Sequence, residues 1–360
     1  MNIGIVTFHW AANYGAVLQT YALQNVLVRM GHQVSIIDYR PVWSRENKAP
    51  RIPHSIREAI NVVEHYSSKY RFGQFRKRYL NLTTRTYKFE EKISGFDCVI
   101  VGSDQVFNPD IIACGNQLDT TYLLASVAEE TKKISYAASF GNSTLATEYR
   151  MQFQQCLSSF SAIGVRENTG KQIVETFGLK AVSVPDPTIL LSGFDELHKL
   201  HSQSADNYVL NFIFQQTNTV RMVQDVIAIE SNKPMRSVIG LPDRLKMRTG
   251  FYGLSPEQWI KVIKNAHFVI TDSFHSTLFS ILYHRPFVSL ALNAWGGDWS
   301  ERIKALLTEL SLENRLLLVP TKEAIRDIYY MPIDWDMVDY RLAAWKVRGE
   351  TFLRDSLSSL

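Results

Sequence analysis

The chain has 360 residues, of which 46% are hydrophobic and 21% are charged, and its formal net charge is +4 at pH 7. This composition excludes a disordered chain and supplies more apolar residues than one core usually needs, so we expect two domains. The small net charge also argues against a general nucleic-acid binder, although a local basic patch stays compatible with it.

The cysteines indicate a reducing compartment. Cys98, Cys114 and Cys156 are odd in number and widely spaced, which argues against a disulfide framework and against a Cys-x-x-Cys metal site. The N-terminus lacks the charged region of a signal peptide, and no segment approaches the roughly 18 apolar residues of a membrane span. We therefore expect a cytoplasmic protein.

The first elements predict a β-α-β unit. Residues 3–8 have the pattern of a buried strand, a polar loop follows, and a helix with one apolar face extends to about residue 30. Residues 34–38 predict the next strand. Because Gly15 is alone in the turn, the Gly-x-Gly-x-x-Gly fingerprint of a nicotinamide dinucleotide site is missing. Asn13 and Gly15 either shape this turn or bind a ligand at the start of the helix.

A long amphipathic helix is predicted over residues 55–80, after a proline-containing loop at 41–53. The end of this helix, residues 69–79, is basic and aromatic. Such a run could face RNA, an anionic glycan or membrane phosphate. We interpret it as a solvated helix face whose aromatic residues turn inward.

A first candidate site follows the apolar run 98–101, which predicts a strand buried on both faces. Small and polar residues come directly after it, as is typical of ligand sites at the carboxyl end of a strand in an α/β sheet. The candidate residues are Gly102, Ser103, Asp104, Gln105 and Asn108. Asp104 has a second explanation, because it could merely cap the turn after Gly102.

Two more strands are predicted in this half, at 133–139 and 161–165, with a helix starting near residue 143. Arg166 and Glu167 follow the second strand directly. Arg166 could bind an anionic ligand, or it could form a surface ion pair with Glu167.

Strands and helices alternate again in the second half. We predict strands at 208–214, 237–239, 267–271 and 287–291, helices at 220–230, 256–265 and from 335 onward, and a loop at 293–298. The helix at 256 has Ser255 as its expected cap.

The domains follow from this alternation. We place an N-terminal α/β domain at 1–195, a C-terminal α/β domain at 205–330, and their boundary in the polar stretch 191–207. Residues 331–360 are expected to form a helix that packs back on the first domain. We interpret the basic loop at 244–248 as solvated.

A second candidate site lies where the strand 267–271 meets a helix. Ser273 can cap that helix, and the N–H groups of a first helical turn favour an anion. His275 falls in the same turn and could add a proton or a positive charge. The alternative is that Asp272 and Ser273 only cap the helix and that His275 is a core histidine.

Several segments, in order, resemble one known family up to about residue 290. They are His-Trp-Ala-Ala-Asn-Tyr-Gly-Ala-Val-Leu-Gln-Thr-Tyr-Ala-Leu at 9–23, Val-Gly-Ser-Asp-Gln-Val-Phe-Asn at 101–108, Ser-Tyr-Ala-Ala-Ser-Phe-Gly at 135–141, Val-Arg-Glu at 165–167, Asp-Pro-Thr-Ile-Leu-Leu at 186–191 and Thr-Asp-Ser-Phe-His at 271–275. No segment is specific alone, but together the sequence resembles the polysaccharide pyruvyl transferase family.

The resemblance implies an α/β fold with two Rossmann-like domains facing across a cleft, as in GT-B glycosyltransferases, with the acceptor on the N-terminal side and the donor on the C-terminal side. It implies transfer of a pyruvyl group from phosphoenolpyruvate to a sugar of a polysaccharide or its precursor, which forms a pyruvate ketal. By the same resemblance, His275 and Arg166 would hold the phosphate and carboxylate of the donor.

The chemistry of this reaction fits the candidate residues. Phosphoenolpyruvate carries two anionic groups, which suit an arginine and a helix N-terminus that includes Ser273 and Ser276. Asp104 and Asp272 are candidates to take the proton of the sugar hydroxyl. No cofactor is expected, and the sequence has no cluster at metal-ligand spacing. The expected acceptor is a sugar or a lipid-linked oligosaccharide, and the latter would bring peripheral contact with the inner membrane surface.

The sequence departs from the family pattern at three positions. Ser276 stands where many relatives have glycine, Asn168 where many have a second acidic residue, and Ala16 where shorter members have aspartate. The catalytic base therefore stays open. Two other functions also stay open: a GT-B glycosyltransferase that uses a nucleotide sugar, and a non-catalytic module that binds an anionic glycan or phosphate.

Overall fold

The structure is a computed structural model that describes residues 1–41, 43–44, 53–114, 117–191, 194, 197, 207–241, 250–291, 293–294, 297–298 and 300–358. The basic loop predicted at 244–248 lies outside the described residues. So do most of the predicted domain boundary at 191–207 and most of the loop predicted at 41–53.

The chain divides into two compact units, each built from separate segments. Unit 1 consists of Met1–Ala49, Phe72–Ser192 and Ala343–Leu360, and unit 2 consists of Pro50–Arg71 and Gly193–Leu342. The prediction that residues 50–71 are part of the N-terminal domain is therefore wrong, because they belong to the second unit. The last part of the chain is shared between the two units.

Unit 1 contains a seven-stranded parallel sheet with the strand order β3-β2-β1-β4-β7-β8-β9. The strands are β1 Asn2–Val6, β2 Gln33–Tyr39, β3 Leu82–Tyr87, β4 Cys98–Val101, the separate antiparallel pair β5 Ala113–Cys114 and β6 Gln117–Leu118, β7 Lys132–Ala138, β8 Ala162–Val165 and β9 Val182–Ser183. All four residues of β4 are buried, which confirms the prediction of a strand covered on both faces.

Unit 2 contains a six-stranded parallel sheet with the order β12-β11-β10-β13-β14-β17. The strands are β10 Val209–Phe212, β11 Met235–Ile239, β12 Gly250–Tyr252, β13 Phe268–Thr271, β14 Phe287–Leu290, the antiparallel pair β15 Asn293–Ala294 and β16 Gly297–Asp298, and β17 Leu316–Leu317. The pairing of β15 with β16 corrects our prediction of a loop for those four residues.

The helices of both units agree with the predicted pattern where that pattern was strong. They are α1 Tyr14–Arg29, α2 Ile56–Tyr79, α3 Pro109–Ile112, α4 Thr147–Leu157, α5 Asn168–Glu175, α6 Pro187–Leu190, α7 Asn218–Ser231, α8 Pro256–Lys264, α9 Phe274–Leu282, α10 Glu301–Glu309, α11 Lys322–Tyr330 and α12 Trp335–Ser358, with short 3-10 turns at Thr120–Leu123 and Glu313–Arg315. The helix expected near residue 143 instead begins at Thr147.

The aromatic end of α2 was only partly predicted. Phe72 and Phe75 are buried, as expected, but Tyr70 is 67% exposed. The prediction that the aromatic residues of this helix turn inward is therefore wrong for Tyr70.

Both sheets have a point where the strand order reverses. In unit 1 it lies between β1 and β4, and in unit 2 between β10 and β13. Each unit is thus Rossmann-like, and ligands of such sheets bind beyond the carboxyl ends of the strands at this reversal. The loops after β4 and β13 are the two candidate sites predicted from the sequence.

Candidate active site

The loop after β4 approaches β7 so closely that only glycine fits at its start. Gly102 has φ +127°, and a Cβ atom at this position would lie 2.1 Å from the carbonyl oxygen of Tyr136. Two residues on, Asp104 also has a positive φ, of 73°, which is uncommon for a residue with a side chain. The loop is thus held in a conformation that its own backbone preferences do not favour.

Ser103 fixes this loop through buried hydrogen bonds. Its N–H donates to Gln19 Oε1 at 3.0 Å, and its hydroxyl lies 3.0 Å from the Ala137 carbonyl and 3.1 Å from Asp186 Oδ2. Its carbonyl accepts from the Thr7 hydroxyl. Ser103 is fully buried, so it holds the loop in place through these internal hydrogen bonds.

Arg166 lies within a buried ionic network. Its Nη1 is 3.1 Å from Asp186 Oδ2, and its Nε is 3.0 Å from Glu167 Oε1. Burial disfavours the charge on the guanidinium, but Glu167, Asp186 and Asp104 outweigh it and raise the pKa of Arg166 above its ordinary value. The alternative of an ion pair between Arg166 and Glu167 is confirmed, but its expected surface position is wrong, because Arg166 is 3% exposed.

Asp104 is the half-buried carboxylate of this loop. Its backbone carbonyl accepts from Ser139 N–H at 2.9 Å, which extends the pairing with β7. Its Oδ1 accepts from the N–H of Gln105 at 2.9 Å. Asp104 therefore caps the turn, as one of our alternatives expected, while staying partly accessible to solvent and within the electrostatic reach of Arg166.

Gln105 and Asn108 form a buried amide pair, in which Asn108 Nδ2 donates to Gln105 Oε1 at 2.8 Å. A Cβ on Gly141 would lie 2.3 Å from Gln105 Oε1 and 2.4 Å from Asn108 Nδ2. Asn108 also caps α3 by accepting from Asp110 N–H. These contacts give both amide side chains a structural role in the loop. Their predicted part in substrate binding stays a prediction.

His9, in the loop after β1, pairs with Asp38 of β2, and the sequence alone assigns neither residue a role. His9 is fully buried, with Nε2 3.0 Å from Asp38 Oδ1 and Nδ1 3.1 Å from the Thr7 carbonyl. Arg40 binds both oxygens of Asp38, at 2.8 and 2.9 Å. Burial alone would raise the pKa of the Asp38 carboxyl, but the hydrogen bonds from His9 and Arg40 lower it well below its usual range.

The predicted residues of the first loop are at the start of α1. Asn13 is the N-cap, and its side chain accepts from Ala16 N–H at 3.1 Å. Asn13 is exposed, whereas Gly15 is buried. The cap explains Asn13 locally, and the ligand role of this turn stays a prediction.

In unit 2, α9 begins where β13 ends, as predicted. Ser273 is its N-cap, with its side-chain oxygen 3.4 Å from Ser276 N, and its own N–H donates to Thr271 Oγ1 at 3.1 Å. Thr277 Oγ1 donates to the Ser273 carbonyl at 3.0 Å. The positive end of the helix dipole therefore lies at the strand-order reversal of this unit.

The first turn of α9 is polar yet almost completely buried. His275 is 7% exposed, and its ring packs edge-on against Phe274 with a centroid distance of 5.0 Å. Ser276 is fully buried, and its hydroxyl oxygen has no hydrogen-bond partner in the described part of the chain. Buried hydroxyls are normally bonded, so this oxygen lacks a partner that such a group usually has, and the predicted part of Ser276 in substrate binding stays a prediction.

Asp272 links the two loops that flank the strand-order reversal of unit 2. Its carboxylate accepts from Phe214 N–H at 2.9 and 3.1 Å and from Gln215 N–H at 3.1 Å. Burial raises the pKa of Asp272, and these N–H groups act in the opposite direction. The contacts favour a positioning role, and the prediction that Asp272 acts as a base stays a prediction.

The structure thus gathers the predicted residues into two groups. Those near β4, together with Arg166, belong to unit 1, and those near α9 belong to unit 2. The predicted cleft stays a prediction. The sequence alone does not identify Gln19, Asp186 or His9 as site residues, although all three lie in segments that carry the family resemblance.

Two general features concern the described residues only. They contain no group of three or more His, Cys, Asp or Glu side chains placed to hold a metal ion. Among these residues, no helix is both long and apolar enough to cross a lipid bilayer.

Comparisons with known proteins bear on the family and on the fold. The family model for polysaccharide pyruvyl transferase matches residues 13–293. A comparison with curated proteins finds no match. Among solved structures, the chain is similar to UDP-GlcNAc 2-epimerase from Neisseria meningitidis bound to UDP-GlcNAc, with 12% identity, 99% of each chain covered and a TM-score of 0.51. It is also similar to UDP-GlcNAc 2-epimerase from Methanocaldococcus jannaschii, with 11% identity, 93% of each chain covered and a TM-score of 0.50. At such identities the similarity shows the fold alone, which is α/β with two Rossmann-like units, as in GT-B proteins.

Proposed function

We propose, since this chain belongs to the polysaccharide pyruvyl transferase family, that it transfers the pyruvyl group of phosphoenolpyruvate to a sugar of a polysaccharide or its precursor. The product is a cyclic pyruvate ketal across two hydroxyls of the sugar. The observation that carries the proposal is the buried polar first turn of α9, where a helix N-terminus, His275 and the Ser276 hydroxyl lie together at the strand-order reversal.

The donor phosphate suits this turn. The amides and dipole of a helix N-terminus stabilise an anion without a metal ion. The Ser276 hydroxyl can donate to a phosphate oxygen, since it makes no bond within the described residues.

His275 is the proposed proton donor. In the reaction, the methylene carbon of phosphoenolpyruvate takes a proton, a sugar hydroxyl attacks the neighbouring carbon, and the bond from that carbon to the phosphate oxygen breaks. The second hydroxyl then closes the ketal, so one sugar and one donor give one ketal and one phosphate. An imidazole can give and take protons near neutral pH, as these steps require.

Asp104 is the proposed acceptor of the hydroxyl proton. Of the two candidate carboxylates, Asp104 is the partly exposed one, and within the described residues its side chain accepts one hydrogen bond, from Gln105 N–H. Asp272, by contrast, is occupied by the Phe214 and Gln215 amides. We therefore assign Asp272 the task of holding the loop after β10 against α9.

Arg166 is proposed to position the loop after β4. Two carboxylates, Asp186 and Glu167, already bind its guanidinium. Asp186 also accepts a hydrogen bond from the Ser103 hydroxyl. Ser103 directly precedes Asp104 in the loop after β4. Arg166 thus supports Asp104 through Asp186 and Ser103, which replaces direct donor binding as its proposed role.

A direct assay tests the proposal. Purified protein is incubated with phosphoenolpyruvate and a panel of sugar acceptors, while phosphate release and acceptor mass are followed. We expect phosphate release that depends on the acceptor, and an acceptor heavier by one pyruvate less one water. His275→Ala should lose nearly all of this activity, while His284→Ala, at an exposed histidine outside the site, should keep it.

The alternatives give different results in the same experiment. A glycosyltransferase would be stabilised against heat by a nucleotide sugar such as UDP-GlcNAc and not by phosphoenolpyruvate. A non-catalytic module would bind an anionic glycan or phosphate but turn over neither donor. Either result would replace the pyruvyl transfer proposed here.

A further inference from the structure

An exposed apolar stripe runs along α2. Ile56 is 83% exposed, Val63 56%, Tyr66 43% and Tyr70 67%. At 3.6 residues per turn, positions 56, 63 and 70 fall within about 40° of one another, and the stripe is about 21 Å long. We call these four residues the α2 stripe. Four large apolar side chains exposed along one side of a helix are more than the scattered single apolar residues that a protein surface normally shows.

The opposite side of the helix is already in use. Phe72 and Phe75 are buried. Glu64 accepts from Leu241 N–H at 2.9 Å and from Arg71 Nη2 at 3.2 Å. The packed side of α2 therefore fixes its orientation, and the α2 stripe is the side left facing solvent.

The charges of α2 are distributed unevenly around the helix. Its acidic residues, Glu58 and Glu64, lie about 120° from the centre of the stripe. The last turn is basic, and Lys77 and Arg78 are exposed there, with Lys77 in line with the stripe. An apolar strip with cationic residues and without carboxylates matches the surface of an anionic bilayer, where charged headgroups cover apolar acyl chains.

We propose that the α2 stripe, with Lys77 and Arg78, binds the surface of an anionic lipid bilayer. Tyr66 and Tyr70 suit the headgroup region, because their rings are apolar and their hydroxyls stay hydrated. Ile56 and Val63 enter the boundary of the acyl chains, and the basic turn binds lipid phosphates. This inference stands independently of the proposed function, although a lipid-linked acceptor would give such binding a purpose.

Vesicle co-sedimentation with the full chain tests the proposal. Vesicles of equal parts phosphatidylcholine and phosphatidylglycerol should bring down the wild-type protein, while pure phosphatidylcholine vesicles should not. Val63→Glu with Tyr70→Glu should weaken the binding at least tenfold. Lys77→Gln with Arg78→Gln should weaken it at least about fivefold, and added salt should do the same.

Matched controls separate this surface from general effects of charge. Met151→Glu with Ile229→Glu changes two apolar residues that are 79% and 74% exposed elsewhere and should leave binding unchanged. Arg221→Gln with Lys322→Gln removes two exposed cations elsewhere and should change binding less than twofold. All four variants should keep the wild-type melting temperature within a few degrees.

Three results would overturn the inference. Wild-type protein that stays in the supernatant with anionic vesicles would exclude lipid binding. Val63→Glu with Tyr70→Glu that sediments like wild type would exclude this surface. A wild-type dimer that becomes monomeric in the same variant would assign the stripe to a second copy of the chain. Pyruvyl transfer to a water-soluble sugar should be unaffected by the stripe variants, so the two proposals can fail separately.

Discussion

The hydrogen that Gly102 carries in place of a side chain lets the loop after β4 approach β7. Both its φ of +127° and the 2.1 Å distance from a hypothetical Cβ to Tyr136 O demand glycine. The sequence predicted a site here because polar residues follow a buried strand, but it could not show this approach. The contact joins residues that are far apart in the chain, and no local pattern reports it.

Gly102→Ala should lower the free energy of unfolding by about 3 kcal/mol or more, because the methyl group meets rigid backbone. The matched control is Gly178→Ala. Gly178 has φ +74° but nothing within 4 Å of its Cβ position, so it should lose only the 1–2 kcal/mol, roughly, of a left-handed alanine. Urea unfolding of both variants measures the difference, and equal losses would contradict the steric explanation.

Asp38 gives unit 1 a stability that depends on pH. Its carboxyl pKa is lowered in the folded protein by His9 and Arg40, despite burial. A lowered carboxyl pKa stabilises the fold fully above the unfolded value, about 4, and this stabilisation is lost progressively as the pH falls from there through the lower folded value. Asp38→Asn should therefore cost about 2 kcal/mol at pH 6, and the difference from wild type should shrink at pH 3.

Urea unfolding at the two pH values checks this expectation. The exposed Asp225 provides the control, since Asp225→Asn should change stability by less than about 0.5 kcal/mol at either pH. A loss for Asp38→Asn that is the same at pH 3 and pH 6 would show that the carboxyl does not titrate as its contacts require.

At the scale of elements, burial decided which strands and helices could be predicted. The run 98–101 gave the bounds of β4, because a strand buried on both faces is continuously apolar. β3 was missed, since it is an edge strand in which Thr84, Arg85 and Thr86 are exposed and polar, so that no apolar period remains. α9 was predicted from its serine cap, whereas α5 lacks a side-chain cap bond and gave no comparable start.

Cap substitutions in two helices of unit 2 distinguish an effect on stability from an effect on donor binding. Ser255 closes a capping box on α8, and Ser273 caps α9. Ser255→Ala and Ser273→Ala should each lower the free energy of unfolding by about 1 kcal/mol. Only Ser273→Ala should also raise the KM for phosphoenolpyruvate, because α9 is the proposed phosphate site. Steady-state kinetics beside urea unfolding tests this, and a KM increase of equal size in Ser255→Ala would speak against it.

At the scale of the whole molecule, family resemblance supplied the fold class, while the division into units came only from contacts. The sequence placed residues 50–71 in the first domain because they precede its later strands, yet they belong to unit 2. The unit to which a segment belongs depends on which residues it contacts in the folded protein. Glu64, for example, binds the backbone of Leu241, a residue 177 positions away.

The end of α12 completes unit 1. Leu353 is fully buried, and a Cβ on Gly349 would lie 2.6 Å from the Tyr136 hydroxyl. Leu353→Ala should lower the free energy of unfolding by about 2–5 kcal/mol, as large-to-small changes in a core do. Val347→Ala on the same helix is the control, because Val347 is 62% exposed. Thermal unfolding compares them, and similar melting temperatures would mean that the helix end contributes little to the core.

This arrangement sets an order for folding during synthesis. Ala343–Leu360, which unit 1 needs, is translated after every residue of unit 2. The earliest strands of unit 1 therefore wait until the chain has been made through unit 2 and the second half of α12 has followed. Such late closure leaves apolar strand faces open to chaperones and to misassembly during that interval.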